Sequence, residues 1–145
     1  MQLLMEDIKD NLYLGVDAEN NYAELTRDHW HHGTHVSGII AASTNNSIGV
    51  AGIGNNMVDL MAINVFFGEG SDTEAYTTDI IKGYNYAVKN GAKVINMSLG
   101  RLVDDNDYDD IDKQYDSILE KAINEAYDKG IVTVCAAGNE SSSMK

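Results

Sequence analysis

The sequence predicts an α/β domain built on a parallel sheet, and three observations carry that reading. Three apolar runs of strand length recur along the chain: MVDLMAINVFF (57–67), AKVINMSLG (92–100) and IVTVCAA (131–137). Two stretches with a single apolar helical face, about 72–90 and 113–129, separate them. Each of those stretches is stopped by a glycine, Gly91 and Gly130. Strands alternating with helices of this length imply parallel pairing through crossover connections.

Taken in order, residues 1–31 are polar and weakly periodic, and read mostly as loop with one candidate strand, LYLGV (12–16). From His32 the segment GTHVSGIIAA combines small residues with Val36, Ile39 and Ile40 at helical offsets. STNNSIG then ends it with turn formers. This predicts a short, buried helix made for close packing. The strand at 57–67 closes on GEGSD, where Ser71 and Glu74 form a capping-box signature for the helix that follows. That helix places Ile80, Ile81, Tyr84, Ala87 and Val88 on one face. RLVDDNDYDDID packs six aspartates between Asp104 and Asp112, and the next helix aligns Ile118, Leu119, Ala122, Ile123 and Ala126. Ligands in parallel sheets bind beyond the carboxyl ends of the strands. The loops SLG (98–100) and AGNE (137–140) are therefore expected side by side at the functional edge.

Bulk properties narrow the function. The 145 residues amount to one domain, able to bury roughly two thirds or more of its unfolded surface. Ten basic against twenty-three acidic residues give a net charge of -13, which argues against nucleic acid, since phosphate binding needs clustered Lys and Arg. An acidic surface attracts cations or basic peptides instead. The only cysteine, Cys135, allows no internal disulfide and is expected to be a buried small hydrophobe. No segment reaches the roughly eighteen apolar residues of a membrane helix, and MQLLMEDIKDN lacks the features of a signal peptide. The chain reads as soluble, with no membrane partner and its localisation undetermined. Proline is absent, which fits either chance or a chain that is part of a domain.

All four histidines, His29, His31, His32 and His35, fall within seven residues. A metal site is disfavoured: His32 and His35 are three apart, whereas zinc sites on helices favour a spacing of four with a nearby Glu or Cys. A general base needs one imidazole, held at a helix start where it can face a cleft. His32, followed by Gly33, suits that role. His35 is read as a packing residue hydrogen-bonded in the core, and His29 and His31 as loop residues near the cleft.

Four ordered segments carry a family resemblance. HGTHVSG (32–38), GVAGIG (49–54), VINMSLG (94–100) and VCAAGNE (134–140) resemble, in the same order, motifs of the subtilisin-like serine proteases, the subtilases. The resemblance implies a partial three-layer subtilisin-like domain over residues 1–145, with a parallel sheet flanked by helices, and a serine endopeptidase acting on peptide or protein substrates. It makes His32 the general base and Asn139 the oxyanion donor, and it places Ser98, Leu99 and Gly100 against the substrate backbone. TNNSIGV (44–50) is similar to the family's calcium loop, which implies ligation by Asp7, the Asn46 side chain and the carbonyls of Thr44, Ile48 and Val50; the family's N-terminal ligand is missing. No organic cofactor is implied.

The chain carries neither the family's Asp-Ser/Thr-Gly nor its Gly-Thr-Ser-Met-Ala motif. Asp17 imitates the first and SSSM (141–144) the second, but Asp17 lies fifteen residues before His32 and SSSM has no preceding Gly-Thr. Two readings follow. In one, the chain is the His-to-Asn portion of a serine endopeptidase and is inactive alone; in the other, it is a non-catalytic remnant that binds calcium or peptide. Flanking DNA with the two missing motifs in frame separates them. The exposed sheet of such a portion is expected to aggregate. The Asp104–Asp112 run and Glu69 either favour basic substrate residues or are solvated surface.

Overall fold

The structure is a computed structural model that describes residues 6–18, 23–24, 28, 31–68, 74–100 and 109–139. It divides into two compact units, Met1–Gly83 and Tyr84–Lys145.

In the first unit, strand β1 (Leu12–Asp17) pairs in parallel with β3 (Leu60–Asn64), and β2 (Ala23–Glu24) adds an antiparallel edge, giving the order β2-β1-β3. Helix α1 (His32–Ala41) connects the parallel pair and packs on β3, so these elements form a βαβ unit. The candidate strand at 12–16 and the helix starting at His32 are both borne out. The buried face of α1 differs from the expected one. It consists of Thr34, Ser37, Gly38 and Ala41, spaced i, i+3, i+4 and i+7, while Ile39 is 48% exposed. Ile8, Ala42 and Ala62, with Leu12 against them, form the core cluster of this unit.

The last carbonyls of α1 lack intrahelical donors. The main chain of Gly52, Ile53 and Gly54 supplies them, donating to Ala42, Ile39 and Ile40 at 3.0, 2.9 and 2.8 Å. A Cβ at Gly52 would run into the backbone of Ala41 and Ala42, and one at Gly54 into the Ile40 carbonyl. The GVAGIG segment is thus a backbone cap that only glycine can make. Gly52→Ala should destabilise the protein by about 3 kcal/mol, the upper part of the overpacking range, measured as a lowered urea midpoint at unchanged slope.

Helix α2 (Thr77–Lys89) begins later than expected. Glu74 cannot serve in a capping box, because its backbone exchanges two hydrogen bonds with Phe67 in an extended bridge, at 2.9 and 3.0 Å. Ser71 lies outside the described residues. The pairing, supported by stacking of Phe67 on Tyr76 at 4.4 Å, outcompetes the local helix signal. Gly83 of α2 lies against Ile63 and Val65.

In the second unit, β4 (Val94–Met97) and β5 (Val132–Cys135) pair in parallel in register Val94↔Val132 to Met97↔Cys135. Helix α3 (Asp110–Asp128) connects them and packs on β5. Both glycine stops are borne out. Gly91 and Gly130 adopt φ of 85° and 78°, and the residue after each donates back to Ala87 and Ala126 in Schellman-type turns. Tyr84 is buried, with its hydroxyl 2.8 Å from Thr133 Oγ1. Cys135 is exposed rather than buried, as are Val94, Val132 and Val134, because among the described residues little covers this short ladder. The α/β class with parallel pairing stands, realised as a three-stranded and a two-stranded ladder. No helix among the described residues is long and apolar enough to cross a membrane.

Candidate active site

His32 is the first residue of α1, half-buried, and its position is set by what precedes it. His31 takes a left-handed conformation (φ 62°) and makes no side-chain cap. For a residue with a Cβ this conformation costs about 1 kcal/mol or more, so something must hold it. Asp28 does. Its Oδ1 accepts the His31 N–H at 2.9 Å, and its Oδ2 accepts both the N–H and the Oγ1–H of Thr34 at 2.8 and 2.9 Å. A carboxylate there also complements the positive end of the helix. The sequence reading missed Asp28, although an aspartate shortly before a helix start is a recognisable capping signal.

The other histidines separate from His32. His35 is exposed on α1, so the core role expected of it is corrected: the helix buries Thr34, Ser37 and Gly38 instead. His31 forms the turn into the helix, and His29 lies outside the described residues. Among the described residues no group of three His, Cys, Asp or Glu side chains is placed to hold a metal ion. Asp17 ends β1, in register with Asn64 of β3.

A second site of the first unit surrounds Asp7, which is only 3% exposed. Its carboxylate accepts Asn46 Nδ2–H at 2.8 Å and Val50 N–H at 2.9 Å, and its carbonyl accepts Ser43 N–H at 2.6 Å. Asn45, Ser47 and Gly49 all have positive φ, so Thr44, Asn46, Ile48 and Val50 alternate with left-handed residues around the carboxylate. Thr44 is tied down in turn by Asn55 and Asn56. A Cβ on Gly49 would collide with the Asp7 carboxylate, and Ser43 Oγ is buried with no partner among the described residues. The loop is therefore shaped around one buried charge whose described partners are neutral donors. Asn46 turns its Nδ2 toward Asp7 while its Oδ1 accepts the Ile48 N–H at 3.0 Å, and the Thr44 carbonyl accepts Asn56 Nδ2–H at 3.5 Å.

The second unit brings the remaining predicted residues together. Strands β4 and β5 run side by side to Met97 and Cys135, and Ala136 N–H continues the ladder to the Met97 carbonyl at 3.2 Å. Ser98–Gly100 and Ala137–Asn139 therefore leave adjacent carboxyl ends of the pair, as expected. Ser98 Oγ accepts Asn96 Nδ2–H at 2.9 Å. Gly138 has φ 89°, a turn that redirects the chain at Asn139, which is exposed. Of the aspartate run, Asp109 caps α3 by accepting the N–H of Ile111 and Asp112, each at 2.8 Å, and Asp110 pairs with Lys113 at 2.9 Å. These carboxylates serve the helix start; Asp104–Asp107 and Glu69 lie outside the described residues.

Comparison with known proteins agrees with this arrangement. The subtilase family model (Peptidase S8) matches residues 5–145. The chain is 38% identical over 138 residues to the thermophilic serine proteinase of Bacillus sp. (strain AK1), covering 94% of this chain and 30% of that protein. It is 43% identical over 108 residues to thermitase of Thermoactinomyces vulgaris, covering 74% and 33% respectively. In structure it resembles the epidermin leader peptide processing serine protease of Staphylococcus aureus, with a TM-score of 0.73 and 27% identity over 97% of this chain and 35% of that one. The chain spans about a third of the length of these relatives. With the histidine-bearing helix, the paired strand exits and a match over nearly all its residues, the chain belongs to the subtilase family.

Proposed function

We propose that this chain is the part of a subtilisin-like serine endopeptidase that supplies the general base, His32, and the oxyanion donor, Asn139. The observation that carries the reading is the pair of strand ends at Ser98–Gly100 and Ala137–Asn139, on parallel neighbours in register. An extended substrate can add its backbone along Ser98–Gly100. The adjoining Asn139 amide is a neutral donor suited to the oxygen that gains charge in a tetrahedral intermediate. His32 takes the proton of an attacking serine hydroxyl and returns it to the leaving amine. The triad also needs a nucleophilic serine and an orienting aspartate, and neither family motif for them occurs in the 145 residues.

The same proposal gives Asp7, Asn46 and the carbonyls of Thr44, Ile48 and Val50 a calcium ion. The support is the buried, neutrally partnered carboxylate and its oxygen-rich loop. Bound calcium would neutralise that charge and stiffen the loop, with no part in bond cleavage.

The test is reaction with a fluorophosphonate serine probe. The 145-residue chain alone should not label. Residues 5–139, grafted in place of the matching segment of the Bacillus sp. AK1 proteinase, should give a protein that labels and cleaves peptides. A folded graft that does neither would contradict the proposal and favour a calcium- or peptide-binding role.

A further inference from the structure

We infer that Asp28 is a positioning residue for the His32 imidazole; this rests on His32 being the general base. One carboxylate brackets that residue. Oδ1 accepts from the residue before it, His31, and Oδ2 accepts twice from Thr34, two residues after it. The three bonds, at 2.8 to 2.9 Å, include two main-chain donors of the α1 entry, so they set the backbone on both sides of His32. His31, which itself caps nothing, is held left-handed by the first bond, and Thr34 is buried by the others.

The consequence reaches the side chain through the backbone. The χ1 rotamers open to His32 depend on its own φ/ψ, which the entry into α1 sets. With entry and first turn fixed to a single carboxylate, the imidazole is confined to the directions that remain. Loosening the clamp frees the left-handed residue to relax, and the base loses its fixed bearing. Asp28 thereby does for the backbone of His32 what the orienting aspartate of a triad does for its ring.

The test reads His32 in the isotope-labelled AK1 graft, by three-bond couplings across χ1 and by amide exchange at His31 and Thr34. A single χ1 rotamer is expected in the parent. Asp28→Ala should average the couplings and accelerate exchange at both amides by about ten-fold, with the β4–β5 amides unchanged. Asp28→Asn, which keeps one acceptor oxygen, should fall between. If Asp28→Ala unfolds the first unit, seen as lost protection at Val16 and Ile63, Thr34→Val becomes the deciding variant. It removes only the hydroxyl bond and should speed Thr34 exchange a few-fold. Unchanged His32 couplings in folded Asp28→Ala, or an unchanged Thr34 exchange rate in Thr34→Val, would overturn the inference. The couplings need no catalysis, so failure of the base assignment shows separately, as an active His32→Ala graft.

Discussion

Asn139→Leu in the active graft should lower kcat about 100- to 1000-fold, the loss known for the corresponding donor of subtilisin, with KM nearly unchanged. The reason is differential binding. A carbonyl oxygen in the ground state has little need of the amide, whereas the oxyanion of the tetrahedral intermediate does, so removing the donor raises the barrier and leaves substrate affinity intact. Leucine keeps the bulk of asparagine without its N–H, and Asn139 is exposed, so folding is not at stake. Steady-state kinetics on one peptide checks this. A rise in KM at constant kcat would mean that Asn139 binds substrate and does not stabilise the intermediate.

Asp7→Ala should be the most damaging substitution in the first unit. It removes the acceptor of the Asn46 amide and of the Val50 N–H, both in part-buried hydrogen bonds, at roughly 1–3 kcal/mol for each group left unsatisfied. The two together come to about 2–6 kcal/mol. Calcium sharpens the test. Binding at one hundred times its dissociation constant stabilises the folded state by about 2.7 kcal/mol, roughly 10 °C in Tm for a chain of this size. Asp7→Asn keeps the shape of the site and should abolish that calcium-dependent shift while the chain still folds. A parent Tm that ignores calcium would remove the ion from the account; an undiminished shift in Asp7→Asn would remove Asp7 from the site.

The elements legible in the sequence were those set by local chemistry. Gly91 and Gly130 end helices because they adopt the left-handed conformation that the turns require. The apolar runs at 57–67, 92–100 and 131–137 contain the three strands β3, β4 and β5. The fold is less legible where backbone pairing and tertiary packing decide. The Ser71/Glu74 signal lost to pairing between Glu74 and Phe67, which no helical pattern reveals. The buried face of α1 is made of the small residues Thr34, Ser37, Gly38 and Ala41, which leaves His35 and Ile39 exposed, against the expectation of a packed His35. Cys135 followed the same expectation and lies exposed.

The candidate site divides in the same way. The strand exits at Ser98 and Ala136 follow from parallel pairing alone, so their adjacency is legible in the sequence. Asp7 as the centre of the 44–50 loop came from family resemblance; its burial and the glycine pressed against it depend on contacts some forty residues apart. Asp28 was visible as a capping type, but its triple bond across His32 arises only once the His31 turn is formed.

The account stands most directly on His32→Ala in the AK1 graft. In subtilisin, loss of the corresponding histidine costs about a million-fold in kcat, and the same scale is expected here, with folding and calcium response intact. Measured kcat/KM for His32→Ala beside His35→Ala, whose exposed ring should matter little, gives the comparison. A collapse confined to His32→Ala is the predicted result; a graft that keeps its activity without His32 would contradict the central claim.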